Sequence, residues 1–209
     1  CPDAVELRQV EAIERRRRRL VTTTNCCRAR RSHRRAVTMT DRPSTSGAND
    51  EDEDDTARAL RRALGATKHA PELREFLLSL GIRDPPSDSK TFAPSCEYVN
   101  FRPHGLSLCF EGGKLDCVHC YAGCDGFGTY AGGLPTGVAL TSAAADVVRK
   151  LGEPTSKGGQ GRMIWLSYDH LGVKFDVAAS GWDEPDARLT SVAIWDASGY
   201  GEDDVAAKK

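Results

Sequence analysis

Tyr98-Val-Asn-Phe101-Arg-Pro-His-Gly105-Leu106-Ser-Leu108-Cys-Phe110 has a second version later in the chain. It is Trp165-Leu-Ser-Tyr168-Asp-His-Leu-Gly172-Val173-Lys-Phe175-Asp-Val177. A constant offset of 67 sets aromatic against aromatic and Gly105 against Gly172. It also sets Leu106, Leu108 and Phe110 against Val173, Phe175 and Val177. Downstream, Leu115, Val118, Cys120 and Tyr121 match Leu189, Val192, Ile194 and Trp195. Upstream, Leu77-Leu-Ser-Leu-Gly81 with Pro85 matches Val147-Val-Arg-Lys-Leu-Gly152 with Pro154. Alternating apolar residues belong to half-buried strands, and a Gly-Pro stop ends a helix. The chain therefore reads as two copies of one unit, a helix followed by a three-strand meander.

Working outward, Thr56 reads as the N-cap of a first helix over Ala57–Leu64, stopped at Gly65. Pro71 opens a second helix whose stripe is Leu73, Phe76, Leu77 and Leu80, ending at Gly81. Asp84-Pro-Pro-Ser-Asp-Ser reads as a loop. Strands follow at Glu97–Phe101, Leu106–Phe110 and Leu115–Tyr121, with a tight hairpin at Glu111-Gly-Gly. A Gly-rich connector spans 122–140. The second unit, 141–196, opens with Thr141 or Ser142 as N-cap and a helix over Ala143–Leu151. Strands follow at Met163–Tyr168, Val173–Ala178 and Leu189–Trp195, and the tail 197–209 reads as frayed. A meander with one apolar face needs a helix to cover it. The expected fold class is α+β: two tandem helix–βββ units forming one antiparallel sheet of about six strands. The helices would lie on one face and leave the other open.

The net charge of −1 conceals an uneven distribution. Residues 1–48 carry twelve Arg against five acids, a net +7, and Asp50–Asp55 carry −6. The remainder is near neutral, which gives no electrostatic case for nucleic acid or membrane binding by residues 56–209. Residues 1–55 read as a disordered leader, basic and then acidic. The first Met is Met39, so 1–38 reads as sequence upstream of the natural start. Two functional readings compete with that: an organellar transit peptide, or a basic arm for nucleic-acid association. No window of about 18 apolar residues exists, so no membrane span is expected. No secretory signal is read, so the cysteines are expected to be reduced, in an intracellular, cytoplasmic protein, or an organellar one if 1–38 is a transit peptide.

The pattern Leu134-Pro-Thr-Gly-Val-x-Leu-x-Ser142-x4-Val147-x3-Leu151-Gly-x-Pro154, then Trp165-x2-Tyr168-x3-Gly172-Val-x-Phe175, resembles a group of small modules. These are the outer-membrane assembly lipoproteins of the SmpA/OmlA type and the β-lactamase inhibitory proteins. The Leu-Gly-x-Pro stop and the strand pair after it are also similar to segments of the phagosome assembly factor family. The resemblance covers about 75–195, and it implies a helix-plus-antiparallel-sheet fold with a binding or scaffold role.

Cys117-Val-His119-Cys120-x3-Cys124 is the cluster that looks chemical. A Cys-x2-Cys pair with a further Cys or His could hold tetrahedral zinc or act in thiol redox chemistry. On a strand, however, residues i and i+3 point to opposite faces, and Cys120 matches Ile194 of the other copy. Cys120 therefore reads as a buried small apolar residue. Lys157-Gly-Gly-Gln-Gly-Arg162 joins a helix to a strand, the reverse of a phosphate loop, and reads as a flexible turn. His104 and His170 do not align at offset 67. Asp183, Glu184 and Asp186 read as solvated, and no Ser/His/Asp elbow is present.

Phe127, Tyr130 and Trp182 lie in segments that the two copies do not share. They are candidate partner anchors, because loop aromatics bury large area at small entropic cost. The competing reading folds them back as lids on the sheet edges. The sequence therefore points to a non-catalytic protein-binding or scaffold module without a cofactor, and leans away from an enzyme. The alternatives are a zinc or thiol-redox site on Cys117, His119, Cys120 and Cys124, and a basic N-terminal arm.

Overall fold

The computed structural model describes residues 54–92, 95–160, 163–181, 183–184 and 186–198. The leader lies outside them as far as residue 53, whereas its last two residues, Asp54 and Asp55, are the cap and first residue of a helix; nearly all of the tail also lies outside. Three helices, α1 (Asp55–Ala63), α2 (Pro71–Ser79) and α3 (Ala144–Leu151), accompany one eight-stranded antiparallel sheet. Its strands are β1 (Asp88–Phe92), β2 (Cys96–Phe101), β3 (Leu106–Glu111), β4 (Lys114–Tyr121), β5 (Ser156–Gln160), β6 (Met163–Tyr168), β7 (Val173–Val177) and β8 (Leu189–Trp195). Their spatial order is β1-β2-β3-β4-β8-β7-β6-β5. Two four-stranded meanders thus meet through β4 and β8, and the expected α+β layer is the observed fold.

The helices follow their local signals, with two corrections. α1 is capped by Asp54, not Thr56: Asp54 Oδ1 accepts from the Thr56 N–H at 2.8 Å. The Thr56 hydroxyl, which also donates to this carboxylate, and the N–H bond together lower the Asp54 carboxyl pKa. α3 starts after Ala143, which lacks a capping side chain, so Asp146 reaches back and accepts from the Ala143 N–H at 3.2 Å. α2 begins at Pro71 as expected.

The two meanders match residue by residue. A 3-10 turn follows β2 (Arg102–His104) and β6 (Asp169–Leu171), and each ends in a left-handed glycine, Gly105 (φ 62°) and Gly172 (φ 64°). Leu106, Leu108 and Phe110 on β3 face Cys120, Val118 and Leu115 on β4. Val173, Phe175 and Val177 on β7 face Ile194, Val192 and Leu189 on β8. The register slips once in each pair, between Cys109 and Phe110 and between Asp176 and Val177, which are 67 residues apart. These apolar positions join Leu60, Ala63, Leu73, Phe76 and Val147 from the helices in a single buried cluster. All three helices therefore cover the same face of the sheet.

Two strands, β1 and β5, lie beyond the expected six. The loop assigned to Asp84–Ser89 runs into β1, and the turn assigned to 157–162 is strand β5 as far as Gln160, its last two positions lying outside the described residues. β5 pairs with β6 from Ser156↔Ser167 to Gln160↔Met163. Gly158 lies under the Trp165 indole, where a Cβ would come within 2.7 Å of the ring. A glycine in a strand marks such a close approach. Both strands form sheet edges and carry a lysine, Lys90 and Lys157, a common guard against edge-to-edge pairing.

Candidate functional site: the face opposite the helices

Strand alternation puts a second set of side chains on the face away from the helices. One row crosses the sheet as Asn100, Ser107, His119, Ala193, Lys174 and Ser167, on β2, β3, β4, β8, β7 and β6. Beside it run Tyr98, Cys109, Cys117 and Trp195 on one flank. Tyr121, Ser191, Asp176 and Trp165 run on the other. Among the described residues no helix crosses this face. Tyr98, Tyr121, Trp165 and Trp195 are each partly exposed there, and Phe92 at the β1 edge is 43% exposed.

The core-facing positions of the two halves are alike in character. The open-face positions differ in chemistry: Ser107 stands where the other half has Lys174, Cys109 where it has Asp176, Cys117 where it has Ser191, and His119 where it has Ala193. Each half has closed its own polar network. In the first, the Ser107 hydroxyl donates to Asn100 Oδ1 at 2.6 Å, and Asn100 Nδ2 donates to Asp88 Oδ1 at 2.6 Å. Arg102 Nε donates to Asp88 Oδ2 at 2.5 Å, and the Arg102 and Asn100 bonds lower the Asp88 carboxyl pKa. In the second, Lys174 Nζ lies 3.1 Å from Asp176 and over the Trp165 ring at 5.7 Å. The Ser191 hydroxyl donates to Asp176 Oδ2 at 2.8 Å.

His119 lies between these networks, its ring centroid 6.0 Å from that of Tyr98. Its Nε2 is closed off from solvent and has no hydrogen-bond partner among the described residues. Burial is the main cause of a pKa lowered to about 4; Asp176 opposes the shift and Lys174 adds to it. The imidazole is therefore neutral at physiological pH.

The residues singled out from sequence are not gathered into one site. Tyr130 is 4% exposed and belongs to the core; its N–H donates to the Tyr121 carbonyl at 2.9 Å. This corrects its reading as a partner anchor, because the connector folds back beneath Gly105, where Gly128 and Tyr130 touch the turn. Phe127 stacks on Tyr121 at 4.0 Å between centroids, and the Arg102 guanidinium lies 4.7 Å from the Phe127 ring centroid. It extends the open face as a fixed side chain rather than a free loop aromatic. Trp182 lies outside the described residues. Cys120 is in the core cluster, whereas Cys117 is on the open face across from Trp195. Cys124 donates to the Thr190 carbonyl at 3.2 Å. The zinc set Cys117, His119, Cys120 and Cys124 is thus split across the sheet, and among the described residues no group of His, Cys, Asp and Glu is arranged to hold a metal ion.

What sequence reasoning missed was the open-face row itself. Its signal lay in the same alignment, at the residues between the matched apolar ones. Two surface cavities lie elsewhere. One of about 530 Å³ runs between α2 and the segment after it, lined by Leu77, Leu78, Ile82 and Phe101, with Arg74 and Arg83 among its walls. One of about 250 Å³ lies beside His104 and Thr129.

No protein-family model matches the chain, and no curated protein is similar to it. Among solved structures, it is similar to an extracellular protein containing a SCP domain from Bacillus anthracis str. Ames, at 10% identity and a TM-score of 0.38. The match covers 77% of this chain and 51% of that one, so the chain spans about half the length of that protein. A likeness this distant carries no argument about function.

Proposed function

We propose that the chain is a non-catalytic protein-binding module that engages its partner through the open face of the sheet. The observation that carries this reading is the set of partly exposed aromatics, Tyr98, Tyr121, Trp165 and Trp195, on a face that no described helix covers. Protein interfaces are enriched in such residues and depleted of charge at their centres. Two charged pairs here, Lys174 with Asp176 and Arg102 with Asp88, are already made within the chain. The difference between the halves supports the same reading. If the unit arose by duplication, as the register match favours, the halves have kept the core positions and the open-face aromatics alike while the positions between those aromatics have diverged.

Affinity capture with the immobilised chain tests this proposal. Trp165→Ser with Trp195→Ser should abolish capture of a partner that the wild type retains. A central aromatic anchor contributes about 2 kcal/mol or more, roughly 30-fold in affinity per residue. Leu78→Ser, on the helix side and 46% exposed, should leave capture intact. Loss with Leu78→Ser alone would move the binding surface to α2.

A further inference from the structure

Cys96 opens β2, and Cys109 lies in the middle of β3. Their sulfurs are 3.4 Å apart on the open face. The pair is diagonal, because Cys96 faces Glu111 in register and Cys109 faces Tyr98. A disulfide bond is about 2.05 Å long, so closure requires an approach of about 1.4 Å. A diagonal pair is spaced more widely than a directly opposed one, so closure draws in the strand end at Cys96 as well as rotating the side chains. The pair has no counterpart in the second half, where Met163 and Asp176 take these places. It also lies outside the Cys117–Cys124 cluster that the sequence made conspicuous.

We propose that Cys96 and Cys109 form an intramolecular disulfide site loaded by exchange with a low-molecular-weight disulfide such as oxidised glutathione. Cys109 is 1% exposed whereas Cys96 is partly exposed, so Cys96 is the thiol a small oxidant reaches first. The Cys96 thiolate attacks one sulfur of the small disulfide. That S–S bond breaks and the departing thiolate takes up a proton, leaving Cys96 in a mixed disulfide. Cys109 then loses its proton and attacks the Cys96 sulfur. The protein S–S bond forms as the second small thiolate leaves and is protonated. Two protein thiols are oxidised by two electrons, and one small disulfide is reduced to two thiols. The bond ties the start of β2 to the centre of β3 and fixes Tyr98 between them. Oxidation would thereby rigidify the β1–β2 end of the open face.

The test uses the full chain treated with oxidised glutathione, quenched in acid and alkylated without reduction. Chymotrypsin then cuts after Tyr98 or Phe101, which places the two cysteines on separate peptides. Mass spectrometry should find these peptides joined through Cys96 and Cys109. Cys109→Ala should instead accumulate glutathione on Cys96, and Cys117→Ala should leave the cross-link unchanged. Full alkylation of both cysteines after oxidation overturns the proposal, as does a Cys109–Cys117 link in its place. The wild-type peptide map decides alone if Cys109→Ala does not fold.

Discussion

His119 on β4 stands opposite Ala193 on β8, and each occupies the same place in its own half of the sheet. The pair therefore lies on the seam where the two halves meet their own equivalents. The methyl group of Ala193 offers the imidazole no hydrogen bond, and Nε2 stays closed off and without a partner among the described residues. The fold thus holds the neutral ring, with a pKa of about 4 against an ordinary value of 6.5. The unfolded chain takes up this proton near pH 6.5, and the folded chain does so only near pH 4. The stabilisation is therefore complete above pH 6.5 and is lost as the pH falls towards 4, by about 3 kcal/mol. Urea midpoints measured across that window should fall with acidity, and His119→Gln should flatten the slope. An unchanged slope would assign it to other groups.

Gly105 and Gly172, at the two equivalent turns, should be hard to replace. Both are left-handed, and a Cβ would come within 2.5 Å of Gly128 O at the first and 2.2 Å of Trp195 O at the second. Each carbonyl accepts from the strand that closes its unit, from the Tyr121 N–H at 2.8 Å and the Trp195 N–H at 2.9 Å. Alanine at either position should cost more than about 2 kcal/mol in chemical denaturation, because backbone overlap adds to the left-handed penalty. Gly112→Ala, also left-handed (φ 58°) but with open space around it, should cost only about 1 kcal/mol.

Tyr168→Phe should lower stability by about 1 kcal/mol. The buried hydroxyl donates to the Gly152 carbonyl at 2.9 Å and so ties the end of α3 to β6. Burial also pushes its phenol pKa up to about 12. Phe101 holds the matching place in the first half, so the substitution should fit without steric cost. Calorimetry should show a melting temperature lower by about 2 to 4 °C. No change would mean that the carbonyl is satisfied without the phenol.

Cys120→Val should be close to neutral, because Ile194 fills the equivalent place, whereas Cys120→Ser should cost about 1–3 kcal/mol for a buried hydroxyl without an assured partner. The thiol is fully buried, and that burial raises its pKa. Native-state labelling with a thiol reagent should therefore modify Cys96 and Cys124 well before Cys120. Early labelling of Cys120 would contradict its place in the core.

The strands with an apolar face were legible because their period of two survives without knowledge of any partner. Met163–Tyr168 and Leu189–Trp195 begin and end where the alternation does. β1 and β5 carried no such signal. Asp88-Ser-Lys-Thr-Phe92 and Ser156-Lys-Gly-Gly-Gln160 have no apolar alternation, and they are strands because β2 and β6 present open edges to pair with. The caps slipped for a related reason. Asp54 and Asp146 lie near Thr56 and Ser142, and only backbone geometry selects which side chain reaches the free amides. Tyr130 and Phe127 looked alike as loop aromatics. The return path of the connector buried one and stacked the other on Tyr121.

The helices, the six apolar strands, the two turn glycines and the core face were all legible without the structure, because each rests on spacing within a short segment. The sequence also separated Cys117 from Cys120, since three residues along a strand reverse the side-chain direction. Tertiary structure alone decided what meets across strands. It joined the meanders through β4 and β8, set His119 against Ala193, brought Cys96 to Cys109 and closed the Asp88–Asn100–Ser107 and Lys174–Asp176–Ser191 networks. Period fixes which face a side chain takes, and register between segments fixes which neighbour it finds there.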